Sequence, residues 1–196
     1  MDGLSRFRPQ PDHRFTFLQG FLKRPKEVGS IIPSSRFLER EVVRAAVSRD
    51  ARVLVELGPG TGGTTRAVLS AMSAQAKLLA IEINPRFAHL LRCMPDPRLE
   101  VQEGSAAEIL EALAAHRLPA ADTIVSGIPF STMPRELGLA ILRSVHDSLA
   151  PGGVFVAYQV RDRVEDLGRV VFGRPQVKTV MLNVPPMRIY RWRKAF

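Results

Sequence analysis

Val53–Ala67 reads VLVELGPGTGGTTRA: an apolar run carrying one carboxylate, Glu56, followed by a stretch in which glycine stands at 58, 60, 62 and 63. Valine and leucine at successive positions describe a strand buried on both faces. Glycine at this density lets the backbone turn tightly and approach a ligand that a Cβ would keep away. The glycines by themselves fit two different ligand loops, and the residues around them decide between the two.

Gly58, Gly60 and Gly63 satisfy GxGxxG, the spacing of a loop around a dinucleotide pyrophosphate. Glu56, Gly58, Gly60 and Gly62 satisfy ExGxGxG, the spacing of a loop around S-adenosylmethionine. Three features select the second. Glu56 stands at the strand end beside the loop, where its charge repels a pyrophosphate but suits the cationic amino group of a methionine moiety. About fifty residues precede this strand, whereas a dinucleotide domain commonly opens with it. The chain also closes on an antiparallel pair of strands, unlike an all-parallel dinucleotide sheet. Glu82, with Ile83 next to it, ends the second apolar run about twenty residues past the glycines, where an acidic side chain accepts both ribose hydroxyls of an adenosine. Both ligands contain that ribose, so Glu82 supports a nucleoside without choosing between them.

Outward from the loop, strand patterns alternate with helical ones. LLAIEI (78–83), LEVQEG (99–104), DTIVSG (122–127) and GVFVAYQV (153–160) follow VLVEL (53–57), with helical periodicity over 64–73, 86–93, 106–116 and 135–149. Apolar strands separated by helices require a parallel sheet covered on both faces. VKTVMLNV (177–184) and RIYRWR (188–193) are joined only by ProProMet, too short for a helical crossover, and are expected to pair antiparallel. A helix over 35–48, capped by Ser34 or Ser35, precedes the first strand. The expectation is an α/β fold: a Rossmann-like seven-stranded sheet with helices on both faces and a terminal antiparallel hairpin.

Composition narrows the function. A chain of 196 residues, 45% hydrophobic and 24% charged, is sufficient for one domain with its own core. The single cysteine, Cys93, excludes an internal disulfide, and no Cys/His cluster has zinc spacing. The four histidines show no spacing that suggests a site. No apolar run reaches the roughly 18 residues of a membrane span, and MDGLSRFRPQPDHR lacks the apolar core of a secretion signal, so a cytoplasmic location is expected. The net charge of +9 is distributed as +4 over residues 1–50, −1 over 51–150 and +6 over 151–196. Two basic ends suit an anionic partner, either lipid headgroups or nucleic acid.

Two further loops lie where open α/β sheets build their sites, beyond the carboxyl ends of the strands. After the third strand, Ser105 and Ala106 stand where an adenine amino group is often met by an acidic residue; Ser105 also reads as the cap of the helix that follows. After the fourth, Ser126 Gly127 Ile128 Pro129 Phe130 occupies the place where enzymes that methylate base amino groups carry Asn or Asp, two prolines and an aromatic ring. The backbone corner and the ring are kept, but the amide or carboxylate is not. A planar exocyclic amine gains from oriented acceptors that draw electron density from its hydrogens; an alkylamine has its own basic lone pair and needs chiefly alignment. Ser126, Gly127 and Pro129 are therefore candidate acceptor-site residues. GlyIlePro as an ordinary turn is the other reading.

Phe15, Leu18, Phe21 and Leu22 recur at helical spacing beside Arg14, Lys23, Arg24 and Lys26, a pattern that suits a helix lying in an anionic membrane interface or one packed on the sheet. Pro25 and Gly29 end any regular helix, leaving ValGlySerIleIleProSerSer to close over the cofactor.

Taken together, FLKRPKEVGSIIPSS, VLVELGPGTGGTTRAVL, AIEINPRFAHLL, SGIPF and LAPGGVFVAYQV resemble the bacterial phospholipid N-methyltransferases, the soluble phosphatidylethanolamine-methylating branch of the class I S-adenosylmethionine-dependent methyltransferases, from about Phe17 to the end. The ribosomal RNA adenine dimethyltransferases are similar over the cofactor half, but their AsnLeuProTyr-type motif is absent. The resemblance implies successive methyl transfer to the headgroup amine of phosphatidylethanolamine, with S-adenosylmethionine held by Glu56, Gly58, Gly60 and Glu82. It also implies peripheral attachment to the inner face of the cytoplasmic membrane through residues 1–34, with residues 35–196 as the catalytic domain and no obligate protein partner. Tyr158 is expected to meet a cationic headgroup through its ring, or else to lie in the core. Arg188, Tyr190, Arg191, Trp192 and Arg193 are expected to touch lipid phosphate, or else to be ordinary surface strand residues. RNA adenine methylation and a non-catalytic membrane-associated cofactor binder are the alternative functions.

Overall fold

The computed structural model describes residues 35–195. The amphipathic-helix and lid readings made for residues 1–34 lie outside the described residues. Helix α1 (Arg36–Ala46) precedes β1 (Val53–Leu57), α2 (Gly63–Ala71), β2 (Lys77–Glu82), α3 (Pro85–Arg92), β3 (Leu99–Glu103), α4 (Ile109–Ala115) and β4 (Ala121–Ser126). A 3-10 turn (Phe130–Thr132), α5 (Arg135–Ser148), β5 (Leu149–Gln159), α6 (Arg163–Phe172), β6 (Gln176–Val180) and β7 (Met187–Arg193) follow. The strands form one sheet in the order β3-β2-β1-β4-β5-β7-β6, parallel except for β7, which is antiparallel to both β5 and β6. This is the Rossmann-like seven-stranded α/β arrangement, with its terminal antiparallel hairpin, expected from the strand and helix periods.

Alternation along the strands sends the two faces into separate cores. Val53, Val55 and Leu57 of β1 join Ile124, Phe155 and the apolar sides of α4, α5 and α6; Leu54 and Leu78 meet Val68 and Leu69 of α2 on the other side. On that second face α1 buries Leu38 and Val42 against Val125, Val156 and Ile189. Ser35 is the cap of α1, its hydroxyl accepting from the Leu38 amide at 3.2 Å.

Three local expectations are corrected. Residues 163–172 form a helix where no element was expected. Val164 and Leu167 give it an apolar stripe, but Gly168 in its middle is unfavourable to helix and weakens the pattern. The glycine is demanded by packing: a Cβ there would sit 2.4 Å from Trp192 Cζ2. The strand expected over 177–184 stops at Val180, because residues 181–186 form the hairpin turn. Residues 106–108 are a turn, and α4 starts only at Ile109.

Tyr190 and Trp192 are also corrected. Both are buried, Trp192 stacking on Phe155 at 5.4 Å and donating from Nε1 to the Gly173 carbonyl at 3.0 Å. They are core residues, so neither touches lipid. Arg191 is half-buried and its Nε donates to the Ala45 carbonyl at 3.1 Å, while Arg188 and Arg193 are exposed.

Filling the notch above Trp192 is expected to be costly. Gly168→Val should lower stability by about 1–3 kcal/mol in urea unfolding, through overpacking against the indole. Trp192→Phe, which shortens the ring facing that Cβ, should recover part of the loss in the double variant.

Candidate active site

The carboxyl ends of β1, β2 and β4 bring most of the expected residues to one edge of the sheet. Gly58, Gly60 and Gly62 follow β1 with φ of 67°, 58° and 80°, the left-handed region that glycine adopts freely. At Gly60 an added Cβ would meet nothing within 4 Å, so the loop is open there. Its amide points back, donating to Glu82 Oε2 at 2.9 Å. Glu82 Oε1 accepts from the Asn84 amide at 2.9 Å. Burial raises this carboxyl, and the amides of Asn84, Gly60 and Ile83 act in the opposite direction. Each oxygen retains a second lone pair for a hydroxyl donor.

Glu56 is wholly buried on the face covered by α2. Thr65 Oγ1 donates to its Oε2 at 2.6 Å, and Oε1 has no hydrogen-bond partner among the described residues. Desolvation pushes its carboxyl up to about 7; the Thr65 bond lowers it and the charge of Glu82 adds to the rise. A buried acid with a vacant acceptor, next to a loop open at Gly60, fits the cationic amino group and the close backbone approach of S-adenosylmethionine.

Ser105 is buried after β3. Its hydroxyl accepts from the Ala107 amide at 3.2 Å and its carbonyl from the Glu108 amide at 3.0 Å, so it shapes the turn before α4 without capping the helix. Ala106 beside it is half-buried against the core. Gly104 ties this loop to β2 through its amide and the Glu82 carbonyl, 3.1 Å apart.

The corner after β4 is more closed than its sequence suggests. Phe130 is fully buried among Ile141, Leu142 and Leu167, so its ring serves the core and offers no face to a base. Ser126 is buried, its hydroxyl accepting from the Ile128 amide at 3.3 Å. The Ile128 carbonyl accepts from the Phe130 amide at 3.0 Å and from Gln159 Nε2. Pro129 is exposed, and its carbonyl accepts from the Thr132 hydroxyl at 2.6 Å. Gly127 is fixed by its amide to the Leu57 carbonyl at 3.0 Å; a Cβ on it would lie 2.4 Å from the Tyr158 hydroxyl and 3.3 Å from the Gly58 carbonyl. Tyr158 therefore reaches over the corner to the glycine loop. It is half-buried, its hydroxyl 3.2 Å from Thr64 Oγ1. Burial first, then the charges of Glu56 and Glu39, keep this phenol protonated, the Thr64 bond acting the other way.

Sequence reasoning missed Glu39, Thr64, Thr65 and Gln159. Glu39, on α1, brings Oε1 to 2.8 Å from where a Gly63 Cβ would stand. Glu39 thus stands beside Gly63, the residue before Thr64, and Tyr158 spans from Thr64 to Gly127. The two threonines follow the glycine motif directly; Glu39 and Gln159 carry no local signal.

Comparison with known proteins decides the family. The chain is 36% identical over 143 residues to an ornithine lipid N-methyltransferase of Singulisphaera acidiphila, covering 72% of this chain and 74% of that protein. The chain belongs to the class I S-adenosylmethionine-dependent methyltransferases. As a member it is an enzyme, an N-methyltransferase with S-adenosylmethionine as methyl donor. The methyltransferase is also 32% identical over 147 residues to ribosomal RNA small subunit methyltransferase A of Kineococcus radiotolerans, covering 71% of this chain but only 46% of that protein. Among solved structures, the 1,6-didemethyltoxoflavin-N1-methyltransferase of Burkholderia thailandensis, bound to S-adenosylhomocysteine, shares the fold at a TM-score of 0.66 and 14% identity, over 96% of this chain and 93% of that one. No protein-family model matches the chain.

Two measurements test the carboxylates. Folded Glu56 holds its proton more tightly than the unfolded side chain, so its stabilising contribution is complete below about pH 4.5 and is lost as pH rises through about 7. Glu56→Gln should consequently raise the Tm of the apoprotein above about pH 7 while weakening S-adenosylhomocysteine binding by calorimetry. Glu82→Ala should weaken the same binding by about 1–3 kcal/mol if its lone pairs take ribose hydroxyls.

Proposed function

We propose that this enzyme methylates the primary amine of a phospholipid headgroup, phosphatidylethanolamine first and in successive rounds toward phosphatidylcholine, at an anionic membrane surface. The observation that carries this reading is the corner after β4. With Phe130 in the core and both Ser126 Oγ and the Ile128 carbonyl engaged internally, the corner lacks the ring and the acceptor pair that a planar base amine requires. An alkylamine requires neither once it has lost its proton. The relative named for ornithine lipid N-methylation supports a lipid acceptor.

When bound, S-adenosylmethionine supplies a methyl group carried on a cationic sulfur. In this reading Gly58, Gly60 and Gly62 keep the backbone open for the donor, Glu56 meets its ammonium, Glu82 takes the ribose hydroxyls with Ile83 alongside, and Ser105 and Ala106 border the adenine. On the acceptor side, Ser126, Gly127 and Pro129 hold the corner and Tyr158 offers its ring and protonated hydroxyl to the headgroup. Glu39 attracts the incoming ammonium and accepts its proton, which then passes to solvent. Residues 1–34 serve as the basic membrane-binding segment and lid, and residues 35–196 as the catalytic domain, on the cytoplasmic side of the membrane.

The test is to incubate the enzyme with methyl-labelled S-adenosylmethionine and, separately, phosphatidylethanolamine vesicles, ornithine lipid vesicles and ribosomal RNA. Label extracted with phosphatidylethanolamine is the expected result. Label in ornithine lipid alone would move the acceptor to that amine, and label in RNA would overturn the lipid reading. Donor binding with no acceptor labelled would point to a non-catalytic role. Glu39→Gln is expected to reduce kcat/KM for the lipid about tenfold or more while leaving S-adenosylhomocysteine affinity within about twofold.

A further inference from the structure

The turn between β6 and β7 is inside out. Within residues 181–186, MLNVPP, the apolar side chains Met181, Leu182 and Val184 are 70%, 65% and 86% exposed, while the polar member, Asn183, is buried. Its Oδ1 accepts from the Ser35 amide at 3.1 Å and its Nδ2 donates to the Pro185 carbonyl at 2.8 Å. The asparagine thus fixes the turn to the head of α1 and leaves its apolar neighbours pointing outward. Phe37, 54% exposed in the first turn of α1, lines a shallow groove with Arg40, Glu41, Lys178, Met181 and Leu182. Contiguous exposed apolar surface with a charged rim is a mark of an interaction site.

Position and charge indicate what meets it. β7 runs antiparallel to β5 with Arg188 beside Gln159 and Arg193 beside Val154, which puts the turn at the carboxyl edge of the parallel strands. The same edge carries Glu56, Glu82 and the corner 126–129. Arg36 and Arg40 of α1 are exposed near the apolar group, as is Arg188 at the start of β7. Two acids also lie close: Glu41 pairs with Lys178, and Asp162 stands 3.7 Å from Arg188.

We infer that Phe37, Met181, Leu182 and Val184, with Arg36, Arg40 and Arg188 around them, form a docking surface for an anionic lipid bilayer on the catalytic domain itself. Apolar side chains on a narrow hairpin tip enter the interface between headgroups, and the guanidinium groups meet lipid phosphates. The inference rests on the proposed lipid acceptor and deepens it, because a bilayer seated here faces the edge to which a headgroup amine must come. None of these residues belongs to the segment 1–34. Three apolar tips serve a bilayer better than RNA, whose phosphates call for charge alone.

The test compares the full chain with a triple variant, Met181→Ser, Leu182→Ser and Val184→Ser, all at exposed positions. Both are sedimented with vesicles of phosphatidylglycerol and phosphatidylethanolamine, and both are assayed for methylation of phosphatidylethanolamine in those vesicles and in detergent micelles. The expected result is roughly tenfold weaker vesicle binding and vesicle methylation, with methylation in micelles and the Tm essentially unchanged. Vesicle binding unaltered by the substitutions, or absent in the parent, would overturn the docking surface whatever the acceptor proves to be. Equal losses in vesicles and micelles would overturn it too, since the damage would then lie in the site. If the parent labels no lipid in either form yet the variant still loses vesicle binding, the acceptor reading falls and the docking surface stands.

Discussion

A carboxylate shut into a dry interior beside an open backbone turn is the constraint around which this structure is arranged. Glu56 sits at the end of a central strand, wholly buried, with one oxygen held by Thr65 and the other free of any partner among the described residues. Such an arrangement is unfavourable in the unliganded protein and becomes favourable when a cation arrives. The glycine loop beside it is open at Gly60, and Glu82 braces the loop from the neighbouring strand through the Gly60 amide. The remainder of the sheet positions these groups with a spacing that helices on both faces keep rigid.

Much of this was legible in the sequence because its signals are local. Two-sided apolar strands, helical periods between them and the glycine loop with its acids each announce themselves within a few residues, and they yielded the fold class and the candidate cofactor edge; the strand order did not follow from them. What escaped depends on distant partners. The glycine that obscures α6 exists only because Trp192 lies over it. The run 177–184 is apolar enough to read as a strand throughout, yet Asn183 bonds to Ser35 across the fold and turns the chain. Tyr190 and Trp192 alternate with arginines as a surface strand would, but the helices α5 and α6 cover them. Glu39 reaches the site from an element with no motif of its own.

The corner after β4 separates two kinds of acceptor by what it withholds. The Phe130 ring that the motif keeps is part of the core, and Ser126 is turned onto its own loop. Both placements remove features that a flat, weakly basic amine uses, and the Tyr158 hydroxyl occupies the space above Gly127 in their stead.

The bond between Ser35 and Asn183 has a consequence for how the chain is made. Helix α1 packs on β5 and β7, its Ala45 carbonyl is held by Arg191, and its first turn is tied to a hairpin near the far terminus. During synthesis α1 therefore stays incompletely covered on its apolar side until the β6–β7 hairpin has left the ribosome. A nascent chain halted before residue 176 would hold the part of the seat of α1 that β4 and β5 supply, but neither Ile189 of β7 nor the Asn183 that ties down its first turn.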